Sequence, residues 1–195
     1  MMRHPLQPFL DCYPPGADVI PVRPQLLDAY RGVVPDSLIA LWEGPGVGFY
    51  GQRELQIIRP FEYTELLSGW LTRDLSDLSR VPVVLSAFGK IMYLRILGED
   101  AEDVSVLDPH TRSSEVLAWF FEDSFKRVMC DEQEAAELLD TVLATQARQI
   151  LGPLHPGEMY FYVPALVLGG SQDAASVRKG NALVHLNVQL QMAQE

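Results

Sequence analysis

Apolar positions in this chain fall into short blocks whose spacing changes from one stretch to the next. In residues 1–24, Phe9, Leu10, Tyr13 and Val19 are scattered among Pro5, Pro8, Pro14, Pro15, Pro21 and Pro24. Proline at that density removes backbone donors and predicts an extended arm rather than regular helix. A helix pair is predicted at 25–31 and 35–43. Pro35 suits a first helical turn, Leu38, Ile39, Leu41 and Trp42 form one apolar stripe, and Gly44-Pro45 stops it. Two short strands, 48–50 and 55–58, flank a turn at Gly51-Gln52-Arg53, and Pro60 opens a further helix to about residue 71. Residues 81–87 and 90–96 read as a hairpin, with apolar and β-branched runs on either side of Phe88-Gly89.

Past the hairpin the pattern predicts a strand over 104–107, a mixed stretch over 114–128 whose second half is helical, and one long helix over 132–151. Asp131 is placed to cap that helix with Glu134 three residues on, and Gly152-Pro153 ends it. A final amphipathic helix is predicted over 181–192. The chain therefore divides into an arm (1–24), an α+β unit with a small antiparallel sheet (25–130) and a mainly helical C-terminal unit (131–195).

Charge changes the picture more than composition does. The net charge is −11 over 195 residues, but it is concentrated: residues 97–140 hold thirteen acids against three bases, and the remainder holds thirteen against twelve. Glu99, Asp100, Glu102 and Asp103 form its densest run. An acidic face of this kind disfavours direct nucleic-acid binding, because phosphate neutralisation needs a basic surface. It serves either as a solvated face or as an attractor of a basic protein partner. The apolar run at 159–168 is too short to span a bilayer. No apolar stretch follows the basic start of the chain, and Cys12 and Cys130 are too few for a disulfide framework, so a reducing cytoplasm is expected.

Motifs of chemistry are sparse. Gly46-Val47-Gly48-Phe49-Tyr50-Gly51 matches the dinucleotide fingerprint in letters, but a helix precedes it and a strand follows, the reverse of what the pyrophosphate site requires. His155 and Glu158 are separated by Pro156-Gly157, which makes a turn rather than one helical face, so no metal or cofactor is expected there. Paired carboxylates such as Glu122-Asp123 are adjacent and do not face each other. Binding is expected rather than catalysis. Two aromatic groups, Trp119-Phe120-Phe121-Phe125 and Tyr160-Phe161-Tyr162, read mainly as core, with the alternation at 159–163 able to present Tyr160 and Tyr162 as contact residues.

Two stretches carry a resemblance. V-P-D-S-L-I-A-L-W-E at 34–43, G-x-G at 46–48 and S-A-F-G-K-I-M-Y-L at 86–94 resemble the GAD-like domain, whose opening is shared loosely with the SUKH immunity superfamily. L-G-P-L-H-P-G-E-M-Y-F-Y-V-P-A-L-V-L-G-G at 151–170 resembles the C-terminal domain that accompanies it in immunity proteins of type VI secretion DNase effectors. The motif positions that match are Gly152, Pro153, Glu158, Tyr160, Val163, Pro164, Ala165, Leu166, Gly169 and Gly170. The resemblance implies a cytoplasmic, non-enzymatic antidote that binds a cognate toxin, a basic nuclease, without membrane or direct nucleic-acid contact. The alternative is an interaction or scaffold module of the same fold. Contact residues expected on this basis are Glu99, Asp100, Glu102, Asp103, Tyr160, Tyr162 and a turn at Gly169, Gly170 and Asp173.

Overall fold

The computed structural model describes every residue except 1, 2, 72, 73, 75, 76, 100 and 195. Its centre is an antiparallel meander of six strands whose spatial order equals chain order: β1 (Gly48–Tyr50), β2 (Leu55–Ile57), β3 (Arg80–Ser86), β4 (Ile91–Gly98), β5 (Ala101–Asp108) and β6 (Ser113–Ala118). Alternation sends the side chains of one strand to opposite cores. Val84 joins one hydrophobic cluster with Leu94, Val104 and Val106, while Leu85 joins a second with Tyr93 and Leu107. Helix α2 (Asp36–Glu43) covers the first face through Leu38, Leu41 and Trp42. Helices α3 (Pro60–Leu71) and α7 (Ala182–Gln194) cover the second through Leu66, Leu67 and Leu186.

The proline-rich start is not an extended arm throughout. Residues Gln7–Cys12 form helix α1, with Pro8 in its first turn, where a missing N–H costs no intrahelical bond. Leu6 and Phe9 are fully buried; Phe9 meets Phe125 edge-on at 4.7 Å and lies 5.7 Å from Tyr50. Residues 14–20 then run along β1. Gly16 N donates to Phe49 O at 2.9 Å, and Ile20 and Val47 exchange both backbone bonds at 2.9 Å. Of the predicted helix at 25–31, only a single 3-10 turn at Pro24–Leu26 forms.

Beyond the sheet, α4 (Phe121–Asp123) continues directly into a π-helical turn at Ser124–Val128. The long predicted helix is two: α5 (Glu132–Leu138), capped by Asp131, and α6 (Thr141–Leu151). The break is at Asp140, which adopts φ 52° and forms an ion pair with Lys90 at 2.9 Å. A polar strand with no period of its own, β8 (Val177–Asn181), pairs with β7 (Glu158–Tyr162). This two-stranded sheet is sewn to the meander. Buried Gln56 donates to Glu158 O at 2.8 Å and accepts from Gly157 N at 3.0 Å, and Tyr160 N donates to Ala87 O at 2.8 Å.

Candidate functional site

The acidic segment spans the open side of the meander. Strand β6 is the last in the sheet, with β5 on its inner side and no strand paired to its outer side among the described residues. Between β6 and α5 lies an open groove of about 380 Å³ whose walls include Asp108, Glu115, Glu134 and Glu137. Lys90 also borders it but is held by Asp140. The groove floor is apolar, with Val106, Leu117, Val128 and Leu138. At the end of β6, Trp119 and Phe120 are 66% and 56% exposed, whereas Phe121 and Phe125 two and six positions past Trp119 are fully buried. The aromatic group that reads as core is therefore split: Trp119 and Phe120 precede α4, while Phe121 at its start and Phe125 in the π-helical turn face inward.

The expected contact residues fare differently from one another. Glu99 is exposed beside the β4–β5 turn, and Asp100 lies outside the described residues. Glu102 is half-buried and accepts from Phe121 N at 2.9 Å, so it anchors the start of α4. Asp103 is fully buried. It accepts from Arg95 Nε at 2.7 Å, pairs also with the second guanidinium nitrogen, and takes a bond from Ser105 Oγ at 3.0 Å. The pairing pushes the Arg95 guanidinium up. Asp103 is thus a structural charge, and the expectation that it faces a partner is corrected.

Tyr160 and Tyr162 do share one face, but that face is buried. Tyr160 donates its hydroxyl to Gly152 O at 2.7 Å. Tyr162 stacks on Phe88 at 5.4 Å and meets His110 edge-on at 4.9 Å. Neither is a surface anchor. The turn at 169–173 is exposed apart from half-buried Gly170, and its residues serve its own geometry. Gly169 holds φ +83°, and a Cβ on Gly170 would lie 1.9 Å from Pro164 O. Asp173 accepts from Ser176 N at 2.9 Å and from Ser171 Oγ; these bonds, the serine hydroxyl's first, hold its carboxyl below the usual range.

No arrangement of catalytic groups emerges from the remaining motifs. Glu158 accepts from the backbone N of His155 at 2.8 Å, which closes the turn at 155–158. The side chain of His110 is buried between the β3–β4 turn and α7, with Nε2 donating to Phe88 O at 2.8 Å and Gln189 Nε2 donating to Nδ1 at 3.0 Å. Burial pulls its pKa down. Burial, with Cys12 beside it, pushes the Cys130 thiol up to about 12, the opposite of an activated nucleophile. Among the described residues no group of three or more His, Cys, Asp or Glu is placed to hold a metal ion, and no helix is long and apolar enough to cross a membrane.

The letters of the dinucleotide fingerprint have a different use. Gly46 holds φ +111°, and a Cβ there would sit 2.0 Å from Ile20 O; one on Gly48 would sit 2.9 Å from Val19 Cα. These glycines let residues 14–20 approach β1 closely enough to bond it.

Comparison with known proteins agrees with this architecture. A crystal structure of Atu4351 from Agrobacterium tumefaciens superposes with a TM-score of 0.73 at 17% identity, over 95% of this chain and 88% of that one, which shows a shared fold. No curated protein sequence matches the chain significantly. Residues 121–193 match the profile of the C-terminal domain of the type VI secretion immunity protein Tdi1, and residues 5–106 match the GAD-like domain profile. The second match covers more than half of the chain and takes in α1, the buried start of the fold. The chain belongs to the GAD-like family, and its C-terminal part is that of a type VI secretion immunity protein.

Proposed function

We propose that this protein neutralises a cognate secreted toxin, a DNase, by stoichiometric binding in the cytoplasm, without chemistry of its own. The observation that carries the DNase reading is the concentration of charge: nearly the whole net charge of −11 falls in residues 97–140, four of whose carboxylates, Asp108, Glu115, Glu134 and Glu137, line the groove beside β6. An enzyme that degrades DNA must hold a polyanion and therefore needs a basic surface. An acidic face attracts that surface, speeds encounter and competes with DNA for it. Charge of this sign also keeps the antidote itself off DNA.

The test is to purify the protein with the toxin encoded beside it and measure degradation of linear DNA. Equimolar protein is expected to abolish degradation and to co-elute with the toxin. Full degradation with no complex on a sizing column would sink the proposal. A complex that blocks some other activity, with DNA untouched by the free toxin, would remove the DNase reading alone.

A further inference from the structure

Among the described residues, no strand pairs with the outer edge of β6. Sheets ordinarily cover or disarm such edges, since unpaired N–H and C=O groups invite another strand. Some disarming is present: Glu115 puts a charge on the strand, and the register shifts where β6 passes Val104 and Ser105. Yet the strand exposes Val116, and Trp119 and Phe120 stand exposed just past its end. Tryptophan is costly to leave in water, and it is enriched where binding energy concentrates. Four carboxylates stand along the adjoining groove, and the one lysine there is spoken for by Asp140.

We propose that the β6 edge takes up an extended, basic strand of the toxin, which adds to the sheet as a seventh strand and covers Trp119 and Phe120. The proposal rests on the immunity reading above and specifies its surface. Strand addition supplies affinity through main-chain bonds, while the flanking side chains supply selectivity. Charge selects the occupant. A second copy of this chain would bring Glu115, Glu134 and Glu137 against their own like charges, whereas lysines and arginines on an incoming strand would meet them favourably.

The experiment uses the full chain and a catalytically inactive form of the toxin encoded beside it. Hydrogen exchange is followed in the free protein and in the complex. Amides of 113–118 are expected to slow at least about tenfold on binding, as ladder bonds form. The double variant Trp119→Ser/Phe120→Ser is expected to weaken binding by roughly 100-fold with an unchanged melting temperature, since both side chains are exposed and their loss is felt only in the complex. The variant Glu134→Lys/Glu137→Lys is expected to slow association about tenfold at low salt and less at high salt. A tight complex in which 113–118 gain no protection, or in which the double variant binds as wild type, overturns the edge and leaves the immunity reading standing. Absence of any complex with the wild-type protein overturns both. Protection of 113–118 by self-association of the antidote alone overturns the assignment of the occupant.

Discussion

The two edges of the six-stranded sheet meet water in opposite ways. At β1 the chain's own start lies along the strand, and residues 14–20 satisfy the outer backbone groups of Val47, Phe49 and Gly51. Glycines at 46 and 48 make the approach possible, and Asp18 adds an ion pair to Arg53 at 3.0 Å. At β6, five strands away, no segment is laid down among the described residues, and the strand, which borders a carboxylate-lined groove, runs into two exposed aromatics. One edge has been built into the fold, and its residues answer to stability. The other exposes Val116 on its strand, with Trp119 and Phe120 just past its end, and is the edge proposed above to receive a partner strand. The difference teaches that exposure of an edge is read best against how the same protein treats its opposite edge.

The strongest way to break the contrast is to unseat the sealed edge. Gly46→Val places a Cβ 2.0 Å from Ile20 O in a backbone conformation of φ +111° that a β-branched residue does not adopt. Loss of roughly 4 kcal/mol is expected, read as a fall in the urea midpoint together with faster exchange at Ile20 and Val47. Gly98→Ala, at the end of β4, is the control: its Cβ would meet nothing within 4 Å, and a change within about 0.5 kcal/mol is expected. Equal effects of the two would mean that the seal contributes nothing particular.

A smaller loss is expected inside the acidic segment itself. Asp103→Asn leaves Arg95 without its charge partner, at a cost of about 3 kcal/mol, the low end for a broken buried pair because the Arg95 side chain keeps 28% of its exposure. Thermal unfolding measures it. Glu99→Gln, on the adjacent turn and exposed, is expected to melt as wild type. The pair of variants separates charges that hold the open side together from charges that face outward. Any charge-reversal experiment that includes Asp103 would read unfolding as lost binding.

Residue pattern alone reveals the elements whose signals are local. Helix α3 runs Pro60–Leu71 as its proline start and apolar spacing predict, and the β3–β4 hairpin turns at Phe88-Gly89. What pattern misses is set by contacts distant in sequence. Helix α1 exists because Leu6 and Phe9 find a pocket built by Tyr50 and Phe125, and nothing in 1–24 announces that pocket. The break between α5 and α6 falls at Asp140, whose left-handed backbone coincides with an ion pair to Lys90, fifty residues away in sequence. Strand β8 reads V-R-K-G-N and gains its form from β7. Of the candidate site, net charge marks a stretch of the chain, but whether a given acid points outward depends on register. A signal for Asp103 would have needed the register shift between Ile96 and Gly98, which puts Arg95 opposite Asp103 where an unbulged hairpin would put it opposite Val104. The exposure of Trp119 and Phe120 against the burial of Phe121 had no such signal, since a run W-F-F gives no phase until the start of α4 is known.

Acidification sharpens the contrast at the smallest scale. His110 sits in the turn that joins β5 to β6 and ties the open side to Phe88 and to α7, facing Asp108, Asp140 and Lys90 as well. Burial is the main cause of its lowered pKa; the two carboxylates oppose that shift and Lys90 reinforces it. The unfolded chain takes up a proton near the ordinary value of 6.5, and the folded chain does so only at lower pH. The unfolded state then binds more protons across that window, so stability is full above 6.5 and falls as pH drops toward the folded value. His110→Gln removes this term while leaving an amide able to donate to Phe88 O. The melting temperature of the wild type is expected to fall more between pH 7.5 and pH 5.5 than that of the variant. Hydrogen exchange at pH 5.5 is expected to rise at 113–118 before it rises at 14–20, since the sealed edge carries no histidine among the residues that bond it. Parallel pH curves for the two proteins, or earlier loosening at 14–20, would show that the histidine does not hold the open side.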